Sequence, residues 1–278
     1  MTQLRFVSEA GEFFFDAEGT VLSRFDVGYP KIGNTFIERN GAGGVKRLSP
    51  QLGECCLTVE GYILPGKLTV QEAKRNLSRI VSAGEDFILY ADGLRRTVSA
   101  QSLSFDSSPG FASGEAGHFT LKLVSADAFF DGEAEDFYGI CDSEGSVYFP
   151  VTFTGADPFG SLGNSGCVTV INRGDAVRGF VMECAFSSSA QALMLVSSRQ
   201  EGSFVVSGPF SAGDSVIINT RYGEKSVTDK NGASLISGLD KKCVFFNAYP
   251  GETQLRWKIP SGTSPSVKLS FTPGYLTV

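Results

Sequence analysis

The sequence predicts a mainly β protein of two modules: an α+β first domain with one amphipathic helix, and a second domain read as a β-sandwich. Three observations predict it. The 278 residues include 33 Gly and 23 Phe but one Trp and three Met, a balance that suits short strands and tight turns. Apolar residues alternate with period two in run after run, with Gly, Asn, Asp or Pro between the runs. Helical spacing is convincing only once, at 69–83. A chain of this length accommodates two ordinary domains, each able to bury a core without disulfides.

Residues 4–7, 12–15 and 21–27 read as strands, separated by turn residues at 9–11 and 18–19. A loop over 28–50 follows. It contains Pro30, Gly33, Asn34 and the run Arg39-Asn40-Gly41-Ala42-Gly43-Gly44-Val45, and is too long and Gly-rich to pack well alone. Residues 54–63 form a strand with Cys55, Leu57, Val59 and Ile63 on one face and Thr58, Glu60 and Tyr62 on the other. Thr69 and Glu72 make a capping box, each side chain satisfying a free N–H of the first helical turn. Val70, Ala73, Leu77, Ile80 and Val81 then give one apolar face, and Gly84 suits the position just past the helix end. Asp92-Gly93 between two strand-like runs is a hairpin turn. Residues 119–124 alternate again.

Composition shifts at residues 126–146. Asp131, Glu133, Glu135, Asp136, Asp142 and Glu144 lie among small residues. Residues 131–145 are therefore read as a linker between a first domain at 1–130 and a second at 146–278. Beyond it, strand-like runs recur at 146–153, 166–172, 177–186, 191–196, 202–206, 214–219, 224–228, 243–249, 254–259 and 266–271. Turn signals separate them, a sandwich pattern.

Function classes narrow by exclusion. The net charge is −6 and basic residues are scattered, so no nucleic-acid surface is expected. No apolar run is long enough to span a membrane, and no signal-like start is visible. Folding in a cytosol is expected, with Cys55, Cys56, Cys141, Cys167, Cys184 and Cys243 as buried thiols. They lack Cys-x-x-Cys spacing, so neither a metal nor another cofactor is implied.

A catalytic triad would have to use His118, the one histidine. No nucleophile elbow accompanies it, and no catalytic residue is assigned; a hydrolase is the least supported reading. Gly41-Ala42-Gly43-Gly44 lacks the Lys-Ser/Thr ending of a phosphate loop. Asp229-Lys230-Asn231-Gly232 lacks the later ligands of a calcium loop, so it reads as a turn. Arg173-Gly174-Asp175 reads as turn chemistry rather than an adhesion motif. Tyr249 and Trp257 are candidates for contact with a saccharide or a protein partner. Against that, Trp257 alternates with Leu255 and Ile259, which points its ring to the core.

The order of these elements resembles one known family. The strand Cys56–Ile63, the capped helix, the Asp92-Gly93 hairpin and the run ending in Asp127-Ala128-Phe129-Phe130 resemble the N-terminal domain of siphophage distal tail proteins. Asn172-Arg173-Gly174-Asp175 is similar to that family's Asn-x-Gly-Asp turn. Gly213-Asp214-Ser215-Val216-Ile217-Ile218-Asn219-Thr220 is similar to its Gly-Asp strand ending in Ile-Asn-Thr, and Tyr249-Pro250-Gly251-Glu252-Thr253 completes the order. The Asn-Pro that the family often places soon after 172–186 is missing.

The resemblance implies a galectin-like sandwich and a non-enzymatic tail component at the virion tail tip, assembled in the bacterial host cytoplasm. It implies a hexameric ring of this chain. The tail tube protein would lie above, a tail-associated hub protein below, and a receptor-binding protein or host cell-wall saccharide outside. Arg39, Asn40, Gly41, Gly43 and Gly44, in the long loop, are the expected ring contacts. The alternative reading is a carbohydrate-binding β-sandwich module. The histidine-containing galectin sugar site cannot form in the second domain, because His118 lies outside it.

Overall fold

A computed structural model describes residues 3–16, 19–34, 36–38, 45–47, 51–64, 66, 68–82, 85–107, 116–145 and 160–278, and the elements below are those of the described residues. The chain divides into two compact units, Met1–Gly132 with Tyr275–Val278, and Glu133–Gly274.

The first unit runs through β1 (Leu4–Ser8), β2 (Gly11–Phe14), β3 (Thr20–Val27), β4 (Ile32–Gly33), β5 (Phe36–Glu38), β6 (Val45–Arg47), β7 (Gln51–Leu52) and β8 (Cys55–Ile63). It continues with α1 (Val70–Ile80), β9 (Asp86–Ala91), β10 (Leu94–Ser107), β11 (Gly117–Ser125) and β12 (Phe130–Asp131). The main sheet is antiparallel in the order β2-β1-β9-β10-β11-β8-β3, with β12 on β10. Period-two alternation sends Phe6, Leu57, Val59, Leu89, Phe119 and Leu121 to one face. There Ala73, Leu77 and Ile80 of α1 join them in a single core. Phe6 meets Phe15 and Phe87 edge-on, at 4.8 and 5.2 Å, an arrangement favoured by the ring quadrupoles. The hairpin turn forms as expected: Asp92 and Gly93 take φ of 48° and 83°, the left-handed pair that matches strand twist.

The capping box is present in full. Glu72 N–H donates to Thr69 Oγ1 (3.2 Å), and Thr69 N–H donates to Glu72 Oε2 (2.9 Å). The Thr69 N–H, and next the Thr69 hydroxyl, which donates to the same oxygen at 2.8 Å, hold the Glu72 carboxyl below the usual carboxylate range. Thr69→Ala should cost the first unit about 1 kcal/mol, read as a shift in its urea midpoint. An unchanged midpoint would show that α1 is held by packing alone.

Residues 28–54 differ from the expected loop. Their described parts continue the β3–β8 hairpin outward as a ribbon, β4 pairing with β7 and β5 with β6. The register set by Val27 opposite Leu57 carries through to Ile32 opposite Leu52. Proline and the glycines obscure this in the sequence, because the pairing depends on β3 and β8 having already met. Tyr29, Ile32, Phe36 and Leu52 on the ribbon are exposed.

The second unit is a sandwich of two antiparallel five-stranded sheets. Its strands are β13 (Glu135–Tyr138), β14 (Ile140–Gly145), β15 (Gly160–Asn172), β16 (Phe180–Ala185), β17 (Ala190–Ser197), β18 (Phe204–Phe210), β19 (Ser215–Asn219), β20 (Ser226–Asp229), β21 (Gly251–Lys258) and β22 (Ser266–Phe271). One sheet is ordered β13-β22-β16-β19-β20, the other β14-β15-β21-β17-β18. Phe180, Met182, Leu195, Phe204, Leu255, Trp257, Leu269 and Phe271 fill the space between them.

Within the segment 131–145, expected as a linker, the structure has strands. β13 pairs with β22 and β14 with β15. The acidic residues belong to an edge: Phe137 packs on the core, while Asp136 faces out and pairs with Lys268 at 3.1 Å. Charges on a free edge discourage pairing with other chains. Of the other strand expectations, 243–249 is irregular apart from a bridge between Arg178 and Ala248, and 146–153 lies outside the described residues. The last strand of the sandwich is β22. Tyr275–Val278 then return to the first unit, where Tyr275 packs on the core.

Candidate functional site

The residues expected to touch partners fall in three places. Arg39, Asn40, Gly41, Gly43 and Gly44 lie outside the described residues. Trp257 is 2% exposed, so it is not half of a surface platform. Period-two alternation buries it, and two glycines make room for it. A Cβ on Gly166 would lie 2.5 Å from Trp257 Cζ2, and one on Gly139 would overlap the ring. The indole Nε1–H donates to Ser264 Oγ at 2.7 Å. Tyr249 is half-buried in the loop before β21, its backbone N–H donating to Thr253 Oγ1 at 3.2 Å. The structure therefore does not join Tyr249 and Trp257 into one exposed aromatic face.

His118 is half-buried on the sheet face opposite the core. Its cross-strand neighbours are Tyr62 and Asp106, and its ring lies 5.2 Å from that of Tyr62. Those neighbours place no serine or cysteine nucleophile opposite it. Among the described residues, no group of three His, Cys, Asp or Glu is placed to hold a metal ion. The described cysteines are free, and they are not all buried: Cys55 and Cys184 are, whereas Cys56 is exposed and Cys167 and Cys243 are half-buried. Burial pushes the Cys184 thiol up.

The motifs that distinguished the second half of the sequence prove to be corners. Asn172 is buried, and its Nδ2 donates to the carbonyls of Ala176 (2.9 Å) and Ala248 (3.0 Å). Its Oδ1 accepts from Gly174 N–H at 2.9 Å. Gly174 is itself buried against Gly274, so the corner is packed at its glycine, with Arg173 and Asp175 exposed on either side. In the next motif, Asp214 accepts from Ser211 N–H (2.8 Å). Thr220 Oγ1 accepts from Phe180 N–H (2.8 Å). Each short polar side chain satisfies backbone groups that the strands leave unpaired.

Asp229 does the same for the β20 turn, accepting from the N–H groups of Asn231 and Ala233, both at 2.8 Å. These bonds hold its carboxyl below the ordinary range, the Ala233 N–H contributing most. A depressed folded value means the turn is supported above the unfolded carboxylate value of about 3.9, and the support is lost as pH falls through the folded value. Protection of the Ala233 amide from exchange should therefore fall in acid, and Asp229→Asn should remove that pH dependence. Protection insensitive to both would refute the assignment.

The first unit's ribbon and its β2 sheet edge both carry exposed apolar residues. Beside β2, Arg5 stacks over Tyr90 (4.3 Å) and Phe14 (5.7 Å) and pairs with Glu12 at 3.7 Å. Phe14 is exposed. Arginine and aromatics together are the usual anchors of protein interfaces.

Residues 173–275 match the family model of the siphovirus-type tail component, C-terminal domain. Among solved structures, the chain is similar to the SPP1 Dit protein, described as a paradigm of the hub adsorption apparatus in phages that infect Gram-positive hosts. Identity is 14%, the TM-score is 0.68, and 99% of this chain and 100% of that chain are covered. That likeness extends the shared fold over both units. A chain of the phage P2 baseplate in its activated conformation aligns at 9% identity and a TM-score of 0.45, over 97% of this chain and 98% of that one, too distant to carry an argument. No curated protein matches the sequence.

Proposed function

We propose that the chain is a siphophage distal tail protein, a structural ring component of the tail tip, from the family of its C-terminal domain and the order of its motifs. The observation that carries this is the match of residues 173–275 to the siphovirus tail component domain. In this reading, six copies associate through their first units. The ring joins the tail tube protein above to a tail-associated hub protein below. The second units point outward and hold a receptor-binding protein or contact host cell-wall saccharide. The role is mechanical and involves no catalysis. Among the described residues, no helix is long and apolar enough to cross a membrane, and the site of action is the virion tail tip.

The physical support lies in the ribbon. A two-stranded ribbon carrying exposed Tyr29, Ile32 and Phe36 has no core of its own. A neighbouring copy can supply one. Contact between unlike surfaces of identical copies closes into a ring when the rotation allows. Light scattering of the purified chain, with negative-stain images, tests this. A six-fold annulus is expected. A monomer at the highest soluble concentration, also in the presence of the tail tube protein, would sink the proposal.

A further inference from the structure

Helix α1 presents an unbalanced charge to solvent. Its one acid, Glu72, has its carboxylate engaged by the Thr69 N–H and hydroxyl. Its three cations, Lys74, Arg75 and Arg79, are in no ion pair among the described residues. Arg75 and Arg79 are exposed and stand one turn apart, a spacing at which like charges oppose helix formation. The helix dipole favours Arg79, in the last turn, and gives no such support to Arg75. Lys74 lies against Gly117, its ammonium 5.4 Å from the centre of the Phe105 ring. This basic surface belongs to a chain of net charge −6.

Beside it, between α1 and β2, is a cavity of about 210 Å³, smaller than the sites that hold drug-sized ligands and suited to one side chain. Its buried lining is apolar, from Phe13, Ala73 and Ile80. Asn76 and Arg79 bring donors to it. Glu12 brings a carboxylate, which Arg5 already faces at 3.7 Å. Exposed Phe14 completes the β2 side. The charges around the cavity that no partner engages are therefore all positive.

A basic surface beside an apolar anchor pocket fits a protein segment that brings carboxylates and one apolar side chain. A long polyanion such as DNA would meet the chain's overall negative charge, and its phosphates would leave the cavity empty. A short acidic segment feels chiefly the cations within a Debye length of about 8–10 Å. We propose that α1 and this cavity dock an acidic segment of another protein, its carboxylates facing Arg75 and Arg79 and an apolar side chain seated in the cavity. This rests on the tail-tip reading and gives the chemistry of one neighbour there, apart from the ring contact assigned to the ribbon.

Carbodiimide cross-linking of tail particles assembled with this chain tests it, read by mass spectrometry, because the reagent joins a lysine only to a carboxylate in contact with it. Lys74 should be joined to an Asp or Glu of a different protein. Arg75→Gln with Arg79→Gln should lower that cross-link about tenfold without lowering the chain's urea midpoint, because neither guanidinium has an ion pair to lose. Arg75→Lys with Arg79→Lys should keep most of it, and Asn76→Leu, which would fill the cavity, should lower it. Lys74 joined only to this chain or a second copy of it, or a yield unmoved in the glutamine variant, would overturn the inference. Particles that contain the chain and link its other lysines but not Lys74 would sink it and leave the tail assignment standing. Particles from which the chain is absent would sink both.

Discussion

Replacing Trp257 by alanine should cost the second unit about 3–5 kcal/mol, a large part of the roughly 5–15 kcal/mol that holds a domain together. The ring is 2% exposed and belongs to the sandwich core. Its slot was shaped for it, since Gly139 and Gly166 leave space that only this indole fills. Neighbouring chain cannot collapse into that space, because Gly139 marks the corner between β13 and β14, strands of different sheets. Trp257→Phe should lose less, keeping part of the ring while giving up the bond to Ser264. Conversely, Gly139→Ala should overpack the slot, at about 1–3 kcal/mol. Trp257 is the chain's one tryptophan, so its fluorescence follows the second unit of the parent chain in urea, and circular dichroism serves for the variants. A Trp257→Ala midpoint equal to the parent's would contradict the burial described.

Deleting residues 39–44 and rejoining the ribbon with a tight turn should shift the chain from ring to monomer while both units keep their unfolding midpoints. The ribbon adds little to the first unit's core, since its large apolar residues, Tyr29, Ile32, Phe36 and Leu52, face solvent. A neighbouring molecule can bury them. Tyr29→Ser and Phe36→Ser provide a version that leaves the chain length unchanged. An anchoring aromatic at an interface is worth about 2 kcal/mol or more, roughly thirtyfold in association. Sedimentation at several concentrations reads the change. Rings that persist after the deletion and after both substitutions would place the assembly contact elsewhere, with the Arg5, Tyr90 and Phe14 cluster next to be tested.

The motifs that allowed the family to be recognised contain residues that hold corners of the fold. Asn172, Asp214, Thr220 and Thr253 each satisfy backbone groups at corners. Such residues leave a mark in sequence because few side chains can do that work at a given corner.

Local physics was decided by the sequence alone: period-two alternation over β8 and β11, the Thr69–Glu72 cap, and the left-handed turn at Asp92-Gly93. Each depends on residues only a few positions apart, so it can be read without knowing what lies across the fold. Only tertiary structure decided that the acidic stretch 135–138 is an edge strand, because its partner β22 comes more than a hundred residues later. It alone also buried Arg96. That side chain donates to the Phe129 carbonyl (3.2 Å) and lies over the Phe130 ring (4.2 Å), with Cys55 Sγ 3.3 Å away. A charge in a strand reads as solvent-facing until distant parts of the chain close over it, and that closure is a property of the assembled core.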